Sequence, residues 1–477
     1  MKNPTAVAAL RQDAPARADW YTLIVVLIYE FACGVDIAQV SLLVKPIEAT
    51  YRINDTAFAA LAVGSLAFGR VPLYYLGGVL ADTYRRRTLM LISGSLWTVA
   101  AFSVLFAAHA WQFGAARFLG GVALSLGGPS IFHIILDSFS RDRRTFAVSL
   151  FGAGVALGTG LGLALCGGNL RLAEGMGRVV LPYAGEVQPW QLCFVFVGAL
   201  GIVAVALLLT IREPTRLETL VAAQERNVFQ SLRIFAGYMR QHGLFWAVFI
   251  SANFAIDGLT QGLTTWQPTL ANRVFGISLP AAAAALGTLT AATSIAGRLL
   301  GGSTGQWLVN RGRAALLPQM FVYTCIPIGL LFIAFPLVTS FPLSLFLIGA
   351  ATVLIGMTVM LYSNAIQDIV PNEVRGQIIG ISSFFSPIAT IVGTVGIAYV
   401  SDRYFGGGTG LRASFSVVGG GAGLVAALAF GLCVRQYRAT RREVLLETQP
   451  AAEPDQAGQA DWEADCGDGS CAVPPIA

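Results

Sequence analysis

Residues 77–87 read Gly77-Gly78-Val79-Leu80-Ala81-Asp82-Thr83-Tyr84-Arg85-Arg86-Arg87. This stretch ends one long apolar run, 57–82, and precedes another, 87–108. About 20 apolar residues in a helix cross a hydrocarbon core of ~30 Å. The stretch therefore reads as a tight polar turn between two membrane helices, with a basic cluster holding it on one side of the bilayer. Working outward, we count twelve candidate spans: 20–44, 57–82, 87–108, 111–139, 144–168, 190–211, 243–270, 280–307, 314–335, 341–367, 374–403 and 411–435. Composition demands this arrangement. Of 477 residues, 55 % are hydrophobic and only 12 % charged, with a mean hydropathy of +0.67. A soluble domain carries about 25 % charge. An ordinary soluble enzyme, a disordered scaffold and a disulfide-stapled secreted domain are thereby excluded.

The net charge of +5 conceals an asymmetry, because eight acids and no base follow Arg442. With the N-terminus in the cytoplasm, 21 Lys and Arg fall on inner segments and 7 on outer loops, while Arg70, Arg117 and Arg298 lie within spans. This positive-inside bias predicts a multi-pass protein of the cell (inner) membrane with both termini cytoplasmic. It also accounts for the basic excess through the lipid bilayer, without a nucleic-acid partner. The expected organisation is a cytoplasmic N-terminus (1–19), a six-helix half (20–211), a cytoplasmic linker (212–242), a second six-helix half (243–435) and an acidic tail (436–477) expected to be disordered. Five of the seven Cys lie in apolar segments and read as small hydrophobes. Cys466 and Cys471 in the tail make a spaced pair, but two thiols without His are too few for a metal site.

The halves repeat. Gly77-Gly78-Val79-Leu80-Ala81-Asp82 closing span 2 is echoed by Gly301-Gly302-Ser303-Thr304-Gly305-Gln306 closing span 8. Asp137 and Arg144 after span 4 are echoed by Asp368 and Arg375 after span 10. A parallel repeat of two six-helix halves is a known plan of membrane transporters. The fold class expected is thus an all-α polytopic membrane protein of twelve transmembrane helices.

Gly78, Asp82 and Arg85 to Arg87 resemble the loop 2–3 signature of the major facilitator superfamily, in the right context. Further residues narrow the likeness: Asp36 followed by Pro46-Ile47, Arg117, Trp190-Gln191, Arg212-Glu213-Pro214, Trp266-Gln267-Pro268 and Pro371-Asn372-Glu373-Val374-Arg375-Gly376. Together they are similar to the Spinster-like branch, bacterial type, over residues 20–435. The resemblance implies proton-linked or facilitated movement of lipid-like or organic-anion solutes. It also implies that Gly78, Asp82, Arg86, Arg87 and Arg375 gate the cytoplasmic side, with Asp82 facing the N-terminus of span 11. This chain departs from the branch: Ile37 stands where Arg follows the span 1 acid, Leu124 where span 4 carries Glu, and Arg70 where an aromatic is usual.

Charges at bilayer depth are costly and ask for a partner or a cavity. Counting the ~1.5 Å helical rise from the span ends matches Asp36 with Arg117 and Glu30 with Arg70 in depth. Either acid, poised between burial and a neighbouring Arg, suits proton coupling; a permanently ionised structural pair is the alternative. His133 reads as a proton relay or as a packing residue, and Arg298 as a snorkelling cation near the inner end of span 8. Arg70, Arg117, Asp257 and Tyr29 are the expected substrate contacts, with Phe31, Tyr74, Tyr75 and Trp266 as further aromatic surface. The glycines of span 5 (152, 154, 158, 160, 162) and span 8 (297, 301, 305) are expected at the sliding seam between halves. No P-loop, HExxH or GxSxG occurs, so no enzyme, no cofactor and no bound metal are expected. The function expected is a monomeric secondary transporter of a small-molecule solute, anionic or amphipathic, moving protons as well. The alternative, prompted by Ile37 and Leu124, is a transporter-shaped sensor or assembly protein that moves nothing.

Overall fold

The computed structural model describes residues 19–71, 77, 80, 84–139, 141–177, 179–181, 185–212, 228–406 and 410–448. Gly78, Asp82, Tyr74, Tyr75, Cys466 and Cys471 lie outside the described residues. The spans are long helices. In the first half these are α1 (Asp19–Leu42), α2 (Asp55–Ala59, a π turn over Ala60–Gly64, then helical to 71), α3 (Arg86–Ser103), α4 (Ala110–Ser138), α5 (Arg141–Met176) and α6 (Pro189–Leu208). In the second half they are α7 (Val228–Phe275), α8 (Leu279–Asn310), α9 (Leu317–Leu337), α10 (Phe341–Ile369), α11 (Asn372–Tyr404) and α12 (Leu411–Ser414, a π turn over Phe415–Gly419, then Gly420–Thr448). Among the described residues, eleven helices are long and apolar enough to cross a membrane. The remaining span, α2, runs into residues outside the description.

The repeat seen in sequence is also a repeat of packing. In the first half α1 lies against α5, and α3 against α4 and α6. Six helices later α7 lies against α11, and α9 against α10 and α12. The halves meet along two related seams, α5 with α8 and α2 with α11. At the first, a Cβ on Gly287 would come within 2.5 Å of the Gly160 carbonyl oxygen, so only glycine allows this approach. The other glycines expected at this seam divide by helix face. Gly154, Gly158 and Gly162 recur every fourth residue and pack on Leu27, Phe31 and Val35 of α1. Gly297, Gly301 and Gly305 pack on Val353, Met357 and Asn364 of α10. They tighten each half internally instead of lubricating the seam.

Two boundaries move. Helix α7 begins at Val228, so half of the expected linker is helix, and α12 continues to Thr448, past the expected start of the tail. Between α5 and α6 lies an antiparallel ribbon, β1 (Val179–Leu181) with β2 (Gly185–Val187). On the same face, opposite Asp19 and Thr448, the α1–α2 connection carries a short helix, Val44–Tyr51. It is pinned by Trp190 Nε1 donating to Thr50 Oγ1 at 2.9 Å and Tyr51 Oη donating to the Ala107 carbonyl at 2.7 Å. The rings of Tyr51, Phe113, Trp190 and Phe194 stack edge to face around that anchor.

Candidate transport site

Asp36 of α1 and Arg117 of α4 form a closed pair inside the first half. Arg117 Nη1 donates to both Asp36 carboxylate oxygens at 2.9 Å, and Trp97 Nε1 adds a third bond at 3.2 Å. Arg117 Nε donates to the Ala62 carbonyl at 3.1 Å. The two residues are 2 % and 6 % exposed, so bonding compensates the burial of both charges. This corrects one expectation: Arg117 is committed to α1 and α2 and offers no open face to a solute. Tyr29 is corrected likewise. It is buried, bonded to Ser93 Oγ at 2.8 Å and packed edge-on to Trp97.

A second charged group joins residues of both halves. Arg70 of α2 interacts electrostatically with Glu30 of α1 and with Asp257 of α7. All three are half-buried. Among the described residues neither acid closes to a salt bridge with Arg70, whose Nε is buried without a hydrogen-bond partner. Ser386 of α11 sits beside the Asp257 carboxyl, as does Tyr362 of α10, whose hydroxyl meets Ser382 Oγ at 2.9 Å. The arrangement is an incompletely satisfied cation bracketed by one acid from each half. Asp257, expected as a substrate contact, thus interacts with Arg70 from the second half. Arg298 of α8 does not snorkel. It lies about 18 Å along the helix from Asn310, and its Nη1 donates to the Gly152 carbonyl of α5 at 2.6 Å.

The face bearing Asp19 and Thr448 is braced within each half. Arg86 is ion-paired with Asp137 of α4 and donates to the His133 carbonyl at 3.2 Å, while Arg87 caps the C-terminal carbonyls of α6 at Leu208 and Leu209. In the second half Arg441 of α12 bonds Asp368 at 2.8 Å and Tyr437 adds a bond at 3.0 Å. Of the expected gate, Gly78 and Asp82 lie outside the described residues, as does the side chain of Arg375 in the first turn of α11.

The opposite face carries a cross-half latch that the sequence reading missed. Arg273 at the end of α7 donates to Asp55 at 2.5 and 2.7 Å and to Glu48 at 3.0 Å. Thr56 donates to Asp402 of α11 through its backbone N at 2.8 Å and its hydroxyl at 2.6 Å. Phe58 packs edge-on to Trp266 just beneath. Burial, and then the neighbouring Asp55, push the Glu48 carboxyl above its usual range despite Arg273. Burial acts to raise Asp55 too, but bonds from Arg273 and Glu48 outweigh it and hold that carboxyl low.

Comparison with known proteins agrees with this architecture. The family model of the Major Facilitator Superfamily matches residues 22–394. The chain belongs to that superfamily. Its relatives and structural neighbours are transporters, not enzymes. A probable chloroplastic anion transporter 4 from Arabidopsis thaliana is 25 % identical over 77 % of this chain and 69 % of its own. A probable chloroplastic anion transporter 3 from rice, Oryza sativa, is 31 % identical over 28 % of this chain, which spans only 26 % of that protein's length. The 3-(3-hydroxy-phenyl)propionate transporter of Escherichia coli K12 is 30 % identical over 30 % of this chain and 31 % of its own. A crystal structure of a bacterial homologue of the human lysosomal transporter Spinster superposes with a TM-score of 0.72 at 19 % identity, covering 92 % of this chain and all of that one. This superfamily chain is therefore a polytopic, Spinster-like membrane protein by fold.

Proposed function

We propose that this chain is a secondary transporter that moves an anionic, partly apolar organic solute by alternating access, coupled to proton movement. The observation that carries the reading is Arg70, held between Glu30 and Asp257 of opposite halves with its Nε unpartnered. A guanidinium at membrane depth with an unpartnered Nε is costly, and a carboxylate solute entering between the halves completes its bonding. The names of the plant anion transporters and of the phenylpropionate transporter favour the same chemistry, with an aromatic acid as the first class to try.

For coupling, Glu30 is better placed than Asp36. Glu30 is half-exposed beside Arg70, whereas Asp36 is sealed by three hydrogen bonds within one half. In this reading Glu30 takes a proton when the solute satisfies Arg70. The charge bias favours the face of Asp19 and Thr448 in the cytoplasm and the latch outside, in the inner membrane of the cell. The half-buried polar trio between the halves favours transport over a sensor whose cleft is filled with apolar side chains.

The test is a binding panel of anionic, neutral and cationic aromatic compounds on the detergent-purified protein and on Arg70→Gln. The expected result is selective anion binding that the variant loses. Equal binding of all three charge classes, or unaltered anion binding by Arg70→Gln, refutes it.

A further inference from the structure

The second half contributes its own half-buried cation, and among the described residues no acid neutralises it. Arg298 lies near the middle of α8, about 28 Å along the helix from Leu279. Among the described residues no carboxylate lies at ion-pairing distance; the ion pairs there belong to Arg86, Arg117, Arg273 and Arg441. Among the described residues it donates one hydrogen bond, to a neutral acceptor, the Gly152 carbonyl of the other half, at 2.6 Å. Position explains the contact. Gly287 and Ala291 of α8 pack on Gly160 of α5, and Arg298 falls two turns beyond Ala291 on the same helix face. The small-residue seam thus ends at a guanidinium laid over Gly152. Arg298 is half-buried at membrane depth, where a lone guanidinium asks for a counter-charge or a cavity.

We propose that Arg298 is the second anion-recognition residue of the transport site, resting on the anionic-solute reading above and extending it to this side chain. The guanidinium is held on the Gly152 carbonyl. An arriving carboxylate is the stronger acceptor, since bonds to ionised groups are about twice as strong as neutral ones, and it draws Arg298 away. Arg70 and Arg298 then present one cation from each half to the solute. Loss of the Gly152 bond loosens the α5–α8 seam when the site fills. Charge selection and the freeing of that seam are thereby one event.

The experiment measures affinity of the full-length protein in nanodiscs for 3-(3-hydroxyphenyl)propionate and for its neutral amide. Wild type, Arg298→Gln, Arg298→Lys and Arg70→Gln are compared. Wild type is expected to prefer the acid by about tenfold or more. Arg298→Gln is expected to lose that preference while binding the amide as wild type does. Arg298→Lys keeps the charge without the planar fork and is expected to retain only part of the preference. Equal loss of acid and amide affinity in Arg298→Gln marks a merely structural residue and overturns the inference. A retained preference in Arg298→Gln alongside its loss in Arg70→Gln overturns the inference and leaves the anionic-solute reading standing. Binding of neither compound by wild type overturns both. Should Arg298→Gln fail to fold, Arg298→Lys decides, and a wild-type preference there overturns the inference.

Discussion

Arg273 of α7 grips Asp55 of α2 with both terminal guanidinium nitrogens, at 2.5 and 2.7 Å, and so ties the second half of the molecule to the first. The side chains are 11 % and 4 % exposed, which shields the pair from solvent. Asn54 caps the helix that presents Asp55 by accepting from Ala57 N at 3.0 Å, and Asp402 accepts from the next residue, Thr56. One helix start therefore carries both halves of the latch.

Breaking that pair should open its face. Removing one partner of a buried ion pair costs about 3 kcal/mol or more. In Asp55→Asn or Arg273→Gln the distance between spin labels at Ala49 and Tyr404, read by pulsed electron resonance, is expected to lengthen in most molecules. An unchanged distribution in both variants would show that the apolar contact of Phe58 with Trp266 suffices to close this face.

The latch should also respond to pH. Glu48 faces Asp55, Arg273 and Asp402, and burial first, then Asp55, raises its carboxyl in the closed state. A group whose pKa is raised by closure favours closure when protonated. The contribution is complete below the ordinary Glu value of about 4.3 and is lost as pH rises through the raised one. Alkaline pH on that face is thus expected to shift the same label pair toward the open distance. Glu48→Gln should stay closed across the titration. A wild-type distribution flat with pH, or a variant that still titrates, would remove Glu48 from the account.

The Asp36–Arg117 pair is expected to hold the first half together. Arg117→Gln leaves Asp36 buried without a counter-charge and should cost about 3–5 kcal/mol, lowering the melting temperature by several degrees. Asp36→Asn combined with Arg117→Gln should recover much of that loss, because no charge then remains buried. Melting of the single variant at the wild-type temperature would show the pair is dispensable.

If Glu30 carries proton coupling as proposed, Glu30→Gln should lose solute accumulation driven by a pH gradient yet retain solute exchange. Full gradient-driven accumulation by Glu30→Gln would return the role to Asp36.

The fold was legible because hydropathy and repetition are one-dimensional signals. Span lengths, the Gly77–Asp82 and Gly301–Gln306 echo and the charge bias need no knowledge of neighbours. The site was legible in depth but not in azimuth. Rise per residue set Arg117 level with Asp36, and the two are bonded; it could not show that the bond turns Arg117 away from the space between the halves. Tyr29 was lost for the same reason, and Arg298 was set too near the inner end of its helix. The latch escaped because Glu48, Asp55, Arg273 and Asp402 lie near span ends, where a charge reads as a topology marker. Four charges of both signs gathered at the same ends of spans 1, 2, 7 and 11 were the available signal. Recognising it requires knowing that α2 lies beside α11 and α1 beside α7.

The central claim is that this superfamily chain moves an organic anion, and uptake into liposomes tests it most directly. Purified full-length protein is reconstituted and presented with radiolabelled gentisate and 3-(3-hydroxyphenyl)propionate, with and without an inward proton gradient, beside protein-free liposomes and Arg70→Gln. The account predicts uptake above the protein-free level that rises with the gradient and falls at least tenfold in the variant. Uptake of both acids no faster than in protein-free liposomes, or uptake that Arg70→Gln supports in full, would contradict it.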